Sequence, residues 1–175
     1  LEGLSPEISD LPIYNSNDEL LKYKVSELGV LNDDGTYSLP YKYNKPKSVT
    51  VTLNSDTVVF ANIKNTLKTG SVKLTKTDGT KALGGSGWQL YKSDDTPISC
   101  YQTGSGTYMY NSVAKTATDY MATNGSLSIS NLPVGDYYFI ESVTPSGYMP
   151  YGKKVEFTIS ADNENTLNIL SLIHI

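Results

Sequence analysis

The predicted fold of this chain depends most on residues 125–148, which read GSLSISNLPVGDYYFIESVTPSGY. Apolar and polar residues alternate with period two at 127–129, as they do in strands that bury one face, and 137–141 is an aromatic-rich run that ends in glutamate. Turn sequences bound the alternating runs, VGD at 134–136 and PSG at 145–147. The stretch is therefore typical of short β-strands connected by tight turns.

The same alternation recurs along the chain, whereas helical periodicity is almost absent. Clear examples are SVTVTL at 48–53, SVKLTK at 71–76, WQLYK at 88–92 and VEFTI at 155–159. Asp-Gly and Asn-Gly turn signals lie between such runs. Short strands with frequent turns predict an all-β protein, an antiparallel β-sandwich.

Composition excludes several classes of function. The net charge is −4, and all 14 basic residues are lysines, so the arginine that typically recognises phosphates and bases is missing. No apolar stretch approaches the length of a membrane span. Cys100 is the only cysteine, so an internal disulfide or a cysteine zinc cluster cannot form. We expect no cofactor, no metal, no nucleic-acid partner and no membrane insertion of this segment.

The chain also repeats itself in part. YKVSE at 23–27 and YYFIE at 137–141 are both aromatic-rich runs ending in glutamate, and each is followed after about 20 residues by an alternating strand. We predict two tandem domains, in which residues 1–68 are the C-terminal part of one domain and residues 69–169 are a second domain that lacks its last strand.

These motifs, in this order, resemble the Cna-B-type or SpaA-like repeat domains of Gram-positive surface adhesins and pilins. The resemblance rests on GSVKLTKTDG at 70–79, KALGGSGWQLY at 81–91 and the stretch at 125–148, where a glutamate precedes a Pro-x-Gly-Tyr turn. It implies a prealbumin-like or Ig-like sandwich. In many members a lysine on the first strand bonds covalently to an asparagine on the last strand, assisted by a buried acid.

The resemblance implies that Glu141 is the assisting acid of the second domain. For the lysine, two candidates remain. Lys73 matches the reactive position of family members with a Val-Lys-Leu-like opening and is preferred on that ground. Lys76 shares strand parity with Val72 and Leu74, so alternation alone would point Lys76 inward.

The chemistry of such a bond is intelligible from the residue types. A neutral amine is a nucleophile, and desolvation in an apolar core disfavours the ammonium form. A buried carboxylic acid can protonate the amide oxygen and transfer protons as ammonia leaves. Because the groups belong to one folded chain, the reaction is intramolecular and occurs once.

In the first unit, Glu27 and Asn65 match the acid and the acceptor, and their lysine would lie before Leu1. Alignment of the two units places the acceptor of the second domain at 171–174, where Ser171, Leu172, Ile173 and His174 stand. Asn168, the nearest asparagine, is expected to be a plain strand residue. The ending LSLIHI resembles a translated sequencing adapter, so residues 170–175 are interpreted as an artefact.

The predicted function is a non-enzymatic stalk or shaft module of a cell-wall-anchored, extracellular adhesin or pilin, with neighbouring domains of the same chain as partners. The alternatives are a matrix- or glycan-binding sandwich and an accessory spacer domain of a secreted enzyme. Host matrix or glycans would be bound through other domains. The Tyr/Gly/Ser-rich stretch at 103–122 is interpreted as either a mobile insertion or an extra hairpin.

Overall fold

The computed structural model describes residues 7–54, 58–162 and 166–172. The chain divides into two compact units, Leu1–Thr66 and Leu67–Ile175, called here the N-terminal and C-terminal units. The division falls two residues before the predicted boundary at residue 68. The described residues form strands and turns and contain no helix, as the alternating sequence predicts.

The N-terminal unit holds four short strands in two small sheets. Strand β1 (Lys22–Val25) pairs antiparallel with β4 (Val49–Thr52), and β2 (Val30–Leu31) pairs with β3 (Tyr37–Ser38). The alternating run SVTVTL thus forms a strand, as predicted. The turn between β2 and β3 is closed by Asp34 Oδ1, which accepts hydrogen bonds from the Thr36 hydroxyl and amide. These hydrogen bonds lower the pKa of the Asp34 carboxyl.

The C-terminal unit is a sandwich of a five-stranded and a four-stranded sheet. Its strands in chain order are β5 (Thr69–Thr77), β6 (Gly87–Lys92), β7 (Ile98–Gly104), β8 (Thr107–Val113), β9 (Tyr120–Met121), β10 (Ser126–Pro133), β11 (Gly135–Val143), β12 (Val155–Ile159) and β13 (Leu167–Leu172). One sheet has the order β13-β5-β10-β8-β7, and the other has the order β12-β11-β6-β9.

The first and last strands of this unit are neighbours. Strand β13 runs parallel to β5 from Leu167 opposite Val72 to Leu172 opposite Thr77. Residues 167–172 thus form a strand at the edge of the sheet that contains β5. The pairing of β8 with β10 is parallel as well, whereas the other ladders of the unit are antiparallel.

Alternation determines which side chains of β5 enter the core. Val72, Leu74 and Lys76 are buried, whereas Lys73 is exposed. The two inner faces pack a continuous apolar core, which consists of Val72, Leu74, Trp88, Leu90, Ile98, Tyr108, Tyr120, Ala122, Leu127, Ile129, Leu132, Tyr137, Phe139, Phe157 and Ile159. Among the residues that the structure describes, Lys76 is the one charged residue that is buried over its backbone and side chain together.

The stretch at 103–122 contains the end of β7 and the whole of β8, which pair as an antiparallel hairpin over 98–113, so it agrees with the extra hairpin of the two alternatives. Tyr120 in β9 holds this hairpin at its base. The Tyr120 hydroxyl donates to the Ile98 carbonyl (2.6 Å) and accepts from the Cys100 amide (2.9 Å). Because the Tyr120 side chain is itself buried, these two hydrogen bonds hold the edge strand β7 against the core.

We expect Leu127→Ala to lower the free energy of unfolding by about 2–5 kcal/mol, because Leu127 is fully buried and its removal leaves a cavity. Leu170→Ala is the matched control, since Leu170 is 66% exposed, and should change stability by no more than about 0.5 kcal/mol. Urea unfolding followed by tryptophan fluorescence measures both. Equal losses for the two variants would contradict the placement of the core.

Candidate functional site

The centre of the C-terminal unit contains an ion pair that is closed off from water. Lys76 Nζ lies 3.0 Å from Glu141 Oε1, and both side chains have no exposed surface. The approach is short but not in hydrogen-bonding alignment, so neither atom has a well-formed hydrogen bond. Buried charged groups are normally fully hydrogen-bonded. A buried amine and carboxyl without such partners form an unusual pair that favours a chemical role.

Aromatic rings form the walls around the lysine. Lys76 Nζ lies 5.2 Å from the centre of the Trp88 ring and 5.4 Å from that of Tyr151, within the range of cation–π contacts. Phe139 packs edge-on against Trp88, at 6.3 Å between ring centres. Both Trp88 and Phe139 are fully buried. The indole Nε1 of Trp88 donates to the Ser86 hydroxyl, which satisfies its polar edge within the core.

Each member of the pair is positioned by strand register. Lys76 points inward because it shares the parity of Val72 and Leu74 on β5. Glu141 lies on β11 directly opposite Trp88 of β6, so the carboxyl and the indole share one location in the sheet. The second carboxyl oxygen, Oε2, accepts a hydrogen bond of 2.7 Å from the Tyr151 amide.

The backbone at Lys76 is fixed by a close turn. Its amide donates to the Gly125 carbonyl and its own carbonyl accepts from the Leu83 amide. Gly125 has a φ of +74°, and a Cβ there would lie 2.7 Å from the Leu83 nitrogen. Only glycine fits this position without displacing the backbone next to the lysine.

Ser171 completes the site from the last strand. It lies opposite Lys76 in the parallel pairing of β13 with β5, is 2% exposed, and its hydroxyl has no hydrogen-bond partner. The sequence places the acceptor within 171–174, and the first residue of that window is the one beside Lys76. Ile173 and His174 of the same window lie outside the described residues.

The structure places Lys76, and not the preferred candidate Lys73, beside Glu141. Lys73 is exposed on β5, and its side chain faces away from the core that holds Glu141. It is paired in register with Asn168, whose side chain is also exposed and donates weakly to the Thr166 carbonyl. Alternation, and not the motif position, determines which lysine is brought to the acid.

In the N-terminal unit, the predicted acid and acceptor lie together. Asn65 Nδ2 donates to Glu27 Oε2 over 2.8 Å, although 38 positions separate the two residues in sequence. Glu27 is half-buried and Asn65 is exposed. The arrangement is an amide held against a carboxyl, which is the pairing that the resemblance implies for an acceptor and its acid.

Other candidate groups do not form a site. Cys100 is partly buried, and burial raises the pKa of its thiol to about 11. Across residues 7–54, 58–162 and 166–172, no three histidine, cysteine, aspartate or glutamate side chains are grouped as metal ligands would be. In the same ranges, no helix has the length and apolarity that crossing a bilayer requires.

Two residues of the site carry no clear signal in the sequence. Tyr151 contributes a backbone amide and one ring face, and neither is visible as a motif in YMPYGKK at 148–154. Ser171 is identified only through the register of a parallel strand pair, although counting from the first unit gives the correct window. Strand parity on β5 is the one available signal for Lys76.

The fold and the site together define a class: an all-β sandwich domain with a buried lysine–glutamate pair beside its last strand. A profile of the SpaA prealbumin-like fold domain matches residues 70–171, more than half of the chain. The chain belongs to this family, and the family resemblance and the all-β sandwich predicted from the sequence are both confirmed. No protein with a curated description matches the chain significantly.

Solved structures with a similar fold are proteins of Gram-positive bacteria. The pilus 2b backbone protein of group B streptococcus is 18% identical with a TM-score of 0.51, over 79% of this chain and 51% of that one. The TIE protein of Bacillus anthracis is 17% identical with a TM-score of 0.57, over 86% and 24%. A streptococcal ancillary pilin is 23% identical with a TM-score of 0.50, over 73% and 39%. The chain thus spans about a quarter to a half of the length of these structures.

A double-mutant cycle should reveal the coupling between Lys76 and Glu141. Lys76→Met leaves the carboxyl buried without its cation and should lower the free energy of unfolding by about 3–5 kcal/mol. Adding Glu141→Gln removes the unpaired charge while keeping an acceptor for the Tyr151 amide. The double variant should therefore recover at least about 1 kcal/mol relative to Lys76→Met alone.

The matched control for that cycle is Lys73→Met on the same strand, which is exposed and should change stability by less than about 0.5 kcal/mol. Chemical denaturation at neutral pH gives the free energies of all five proteins, namely the parent, Lys76→Met, Glu141→Gln, the double variant and Lys73→Met. Strictly additive losses in the cycle would show that the two buried groups do not interact.

The thiol of Cys100 should react slowly with iodoacetamide in the folded protein. Burial raises its pKa from 9.0 to about 11, and the thiolate is the reacting form. Alkylation at pH 8 should therefore be about 100-fold slower than for an unburied thiol, since each pKa unit reduces the thiolate tenfold. The rate should recover in denaturant, and equal rates in both states would refute the assignment.

Proposed function

We propose that this chain is part of a structural stalk or shaft of a Gram-positive cell-surface protein, of the kind stabilised by an intramolecular Lys–Asn isopeptide bond. The single observation that carries the proposal is the fully buried contact of Lys76 with Glu141, positioned beside residue 171 of the last strand. A structural role, with neighbouring domains of the same chain as partners and an extracellular, wall-anchored location, follows from this proposal.

Lys76 is the proposed nucleophile. Two opposite charges in an apolar interior are costly, and moving one proton from the ammonium to the carboxylate removes both charges at once. That transfer leaves a neutral amine and a carboxylic acid in contact. The amine then has the lone pair that attack requires, and Trp88 and Tyr151 keep bulk water away from it.

Glu141 is the proposed proton-transfer group. Its hydrogen bond from the Tyr151 amide fixes Oε2, which leaves Oε1 next to the lysine. With an asparagine at position 171, Lys76 Nζ would attack the side-chain carbonyl carbon while Glu141 protonates its oxygen. When the tetrahedral intermediate collapses, the carbon–nitrogen bond of the asparagine amide breaks and the oxygen returns its proton to Glu141. One proton of the attacking amine moves to the leaving nitrogen, which departs as ammonia. The product is a secondary amide between β5 and β13.

Ser171 cannot serve as the acceptor, because a hydroxyl side chain offers no carbonyl carbon to the amine. The C-terminal unit therefore holds the lysine and the acid, while the N-terminal unit holds the complementary set of acid and acceptor, Glu27 and Asn65. Each unit therefore contains two of the three groups that the cross-linking reaction needs, which supports the proposal that the two units are domains of the same type.

The comparisons support the structural role at the level of the fold. The matched family is a domain family of prealbumin-like fold, and the solved structures named above include a pilus backbone protein and an ancillary pilin. A bond between β5 and β13 would close a loop of about 100 residues, and by analogy with a disulfide it would contribute about 5 kcal/mol through the unfolded state. We therefore assign the site to a single self-modification and not to turnover.

Restoring an amide at position 171 tests the proposal. Ser171→Asn should form the bond on folding and lose about 17 Da, the mass of ammonia, in intact mass spectrometry. Tryptic mapping should then show the peptides of β5 and β13 joined through Lys76.

Three companion variants act as controls in the Ser171→Asn background. Lys76→Met and Glu141→Gln should both abolish the mass loss, whereas Lys73→Met should leave it intact, since Lys73 faces solvent. A folded Ser171→Asn protein of unchanged mass would refute the cross-linking function, and loss of the bond in Lys73→Met would refute the assignment of Lys76.

A further inference from the structure

The segment between β11 and β12 consists of residues 144–154, and its part 144–152, called here the lid, passes directly over the lysine–glutamate pair. Its Tyr151 amide donates to Glu141 Oε2 over 2.7 Å, and the Tyr151 ring lies 5.4 Å from Lys76 Nζ. The lid therefore touches both members of the pair, one through its backbone and one through an aromatic face.

The lid is attached to the strand that carries the lysine. The Tyr148 hydroxyl donates to Asp78 Oδ2 over 3.0 Å, a contact between residues 70 positions apart. Asp78 lies two residues after Lys76, at the start of the turn that follows β5. Its other oxygen accepts from the Thr80 amide and hydroxyl and from the Lys81 amide. The aspartate is thus anchored firmly to one side of the site.

The geometry of the lid transmits this attachment to Tyr151. Residues 145–148 form a turn in which the Tyr148 amide donates to the Pro145 carbonyl, and Gly147 has a φ of +85°. Pro145 is buried, so the turn is fixed at its base. Only Met149 and Pro150 separate Tyr148 from Tyr151, so the Cα atoms of the two tyrosines are three chain steps apart and can be separated by at most about 11 Å. Holding Tyr148 therefore limits how far Tyr151 can move from the pair.

The bond from Tyr148 to Asp78 is stronger than an ordinary surface contact. Hydrogen bonds from Thr80 and Lys81 lower the pKa of the Asp78 carboxyl well below its usual range, so the acceptor is ionised at neutral pH. The same bond raises the pKa of the Tyr148 phenol, which stays protonated and remains the donor. A neutral phenol donating to a carboxylate is a charge-assisted hydrogen bond.

We propose that Tyr148 and Asp78 are positioning residues that latch the lid over Lys76 and Glu141. The latched lid excludes water from the Lys76 amine and holds the Glu141 carboxyl in its orientation. The inference rests on the proposed cross-linking function and extends it to two residues that touch neither reacting group. A purely structural role would give Tyr148 an effect on stability alone.

Lysine acetylation of the chain with Ser171 unchanged tests the latch without formation of the Lys–Asn bond. Folded protein is treated with N-hydroxysuccinimidyl acetate, and labelling of Lys76 is measured by peptide mapping against the exposed Lys73 as internal reference. Tyr148→Phe should raise the labelling rate of Lys76 relative to Lys73 by about tenfold, because opening the lid admits water and reagent. Asp78→Asn, which keeps an acceptor oxygen for the turn, should act in the same direction.

The matched control is Tyr138→Phe. The Tyr138 hydroxyl also donates to an aspartate, Asp95 Oδ1, over 2.6 Å, but this pair contacts Tyr91 and Lys154, which follows the lid, rather than the ring or amide of Tyr151. Tyr138→Phe therefore removes an equivalent hydrogen bond and should leave Lys76 labelling within about twofold of the parent. Unfolding free energies of both variants separate general destabilisation from opening of the lid.

The second arm measures the rate of ammonia loss in the Ser171→Asn background. Tyr148→Phe should slow that rate by about tenfold while Tyr138→Phe does not, because Glu141 loses its fixed orientation only in the first. If Ser171→Asn itself loses no ammonia, the proposed function fails, and the acetylation arm alone decides on the latch. Equal Lys76 labelling in Tyr148→Phe and Tyr138→Phe would overturn the latch in either case.

Discussion

The buried contact between Lys76 and Glu141 is the interaction around which the C-terminal unit is arranged. At an effective dielectric of about 20, two charges 3.0 Å apart gain about 5 kcal/mol. Removing each charge from water costs several kcal/mol, so the pair adds little net stability. Apolar residues of similar volume would serve the core at least as well. The pair is held in place by the inward parity of β5, the placement of Glu141 opposite Trp88 and the amide of Tyr151, an arrangement that agrees with the proposed cross-linking role.

Tyrosine supplies most of the buried aromatic rings in the C-terminal unit, a role that phenylalanine usually has. The chain contains 14 tyrosines and 3 phenylalanines, and several of the tyrosines bury a ring while the hydroxyl satisfies the backbone. Tyr120 bonds to Ile98 and Cys100, Tyr108 donates to the Met121 carbonyl, and Tyr137 donates to the Pro133 carbonyl. Each such contact ties a strand edge or turn to the interior. A sandwich without a disulfide thereby gains cross-links of a weaker, non-covalent kind.

Local alternation predicted much of this fold, because it reports directly on which face of a strand is buried. The runs at 48–53, 71–76 and 155–159 all form strands, and parity alone points to Lys76. The preference for Lys73 came from motif resemblance, which records position along the chain but not the direction of a side chain. Ser171 and Tyr151 depend on contacts between distant segments, a parallel register and a backbone amide. Such contacts leave no periodic trace in the sequence.

The parallel pairing of β5 with β13 has a mechanical consequence. If force is applied at the two ends of the C-terminal unit, these adjacent strands are drawn in opposite directions along their common axis. The six registered residue pairs from Leu167 opposite Val72 to Leu172 opposite Thr77 are then loaded together and cannot open one after another. Rupture would require the ladder to slip as a whole, and a covalent link at Lys76 would carry the tension through side chains within that ladder. The direction of two strands thus determines how this domain bears tension.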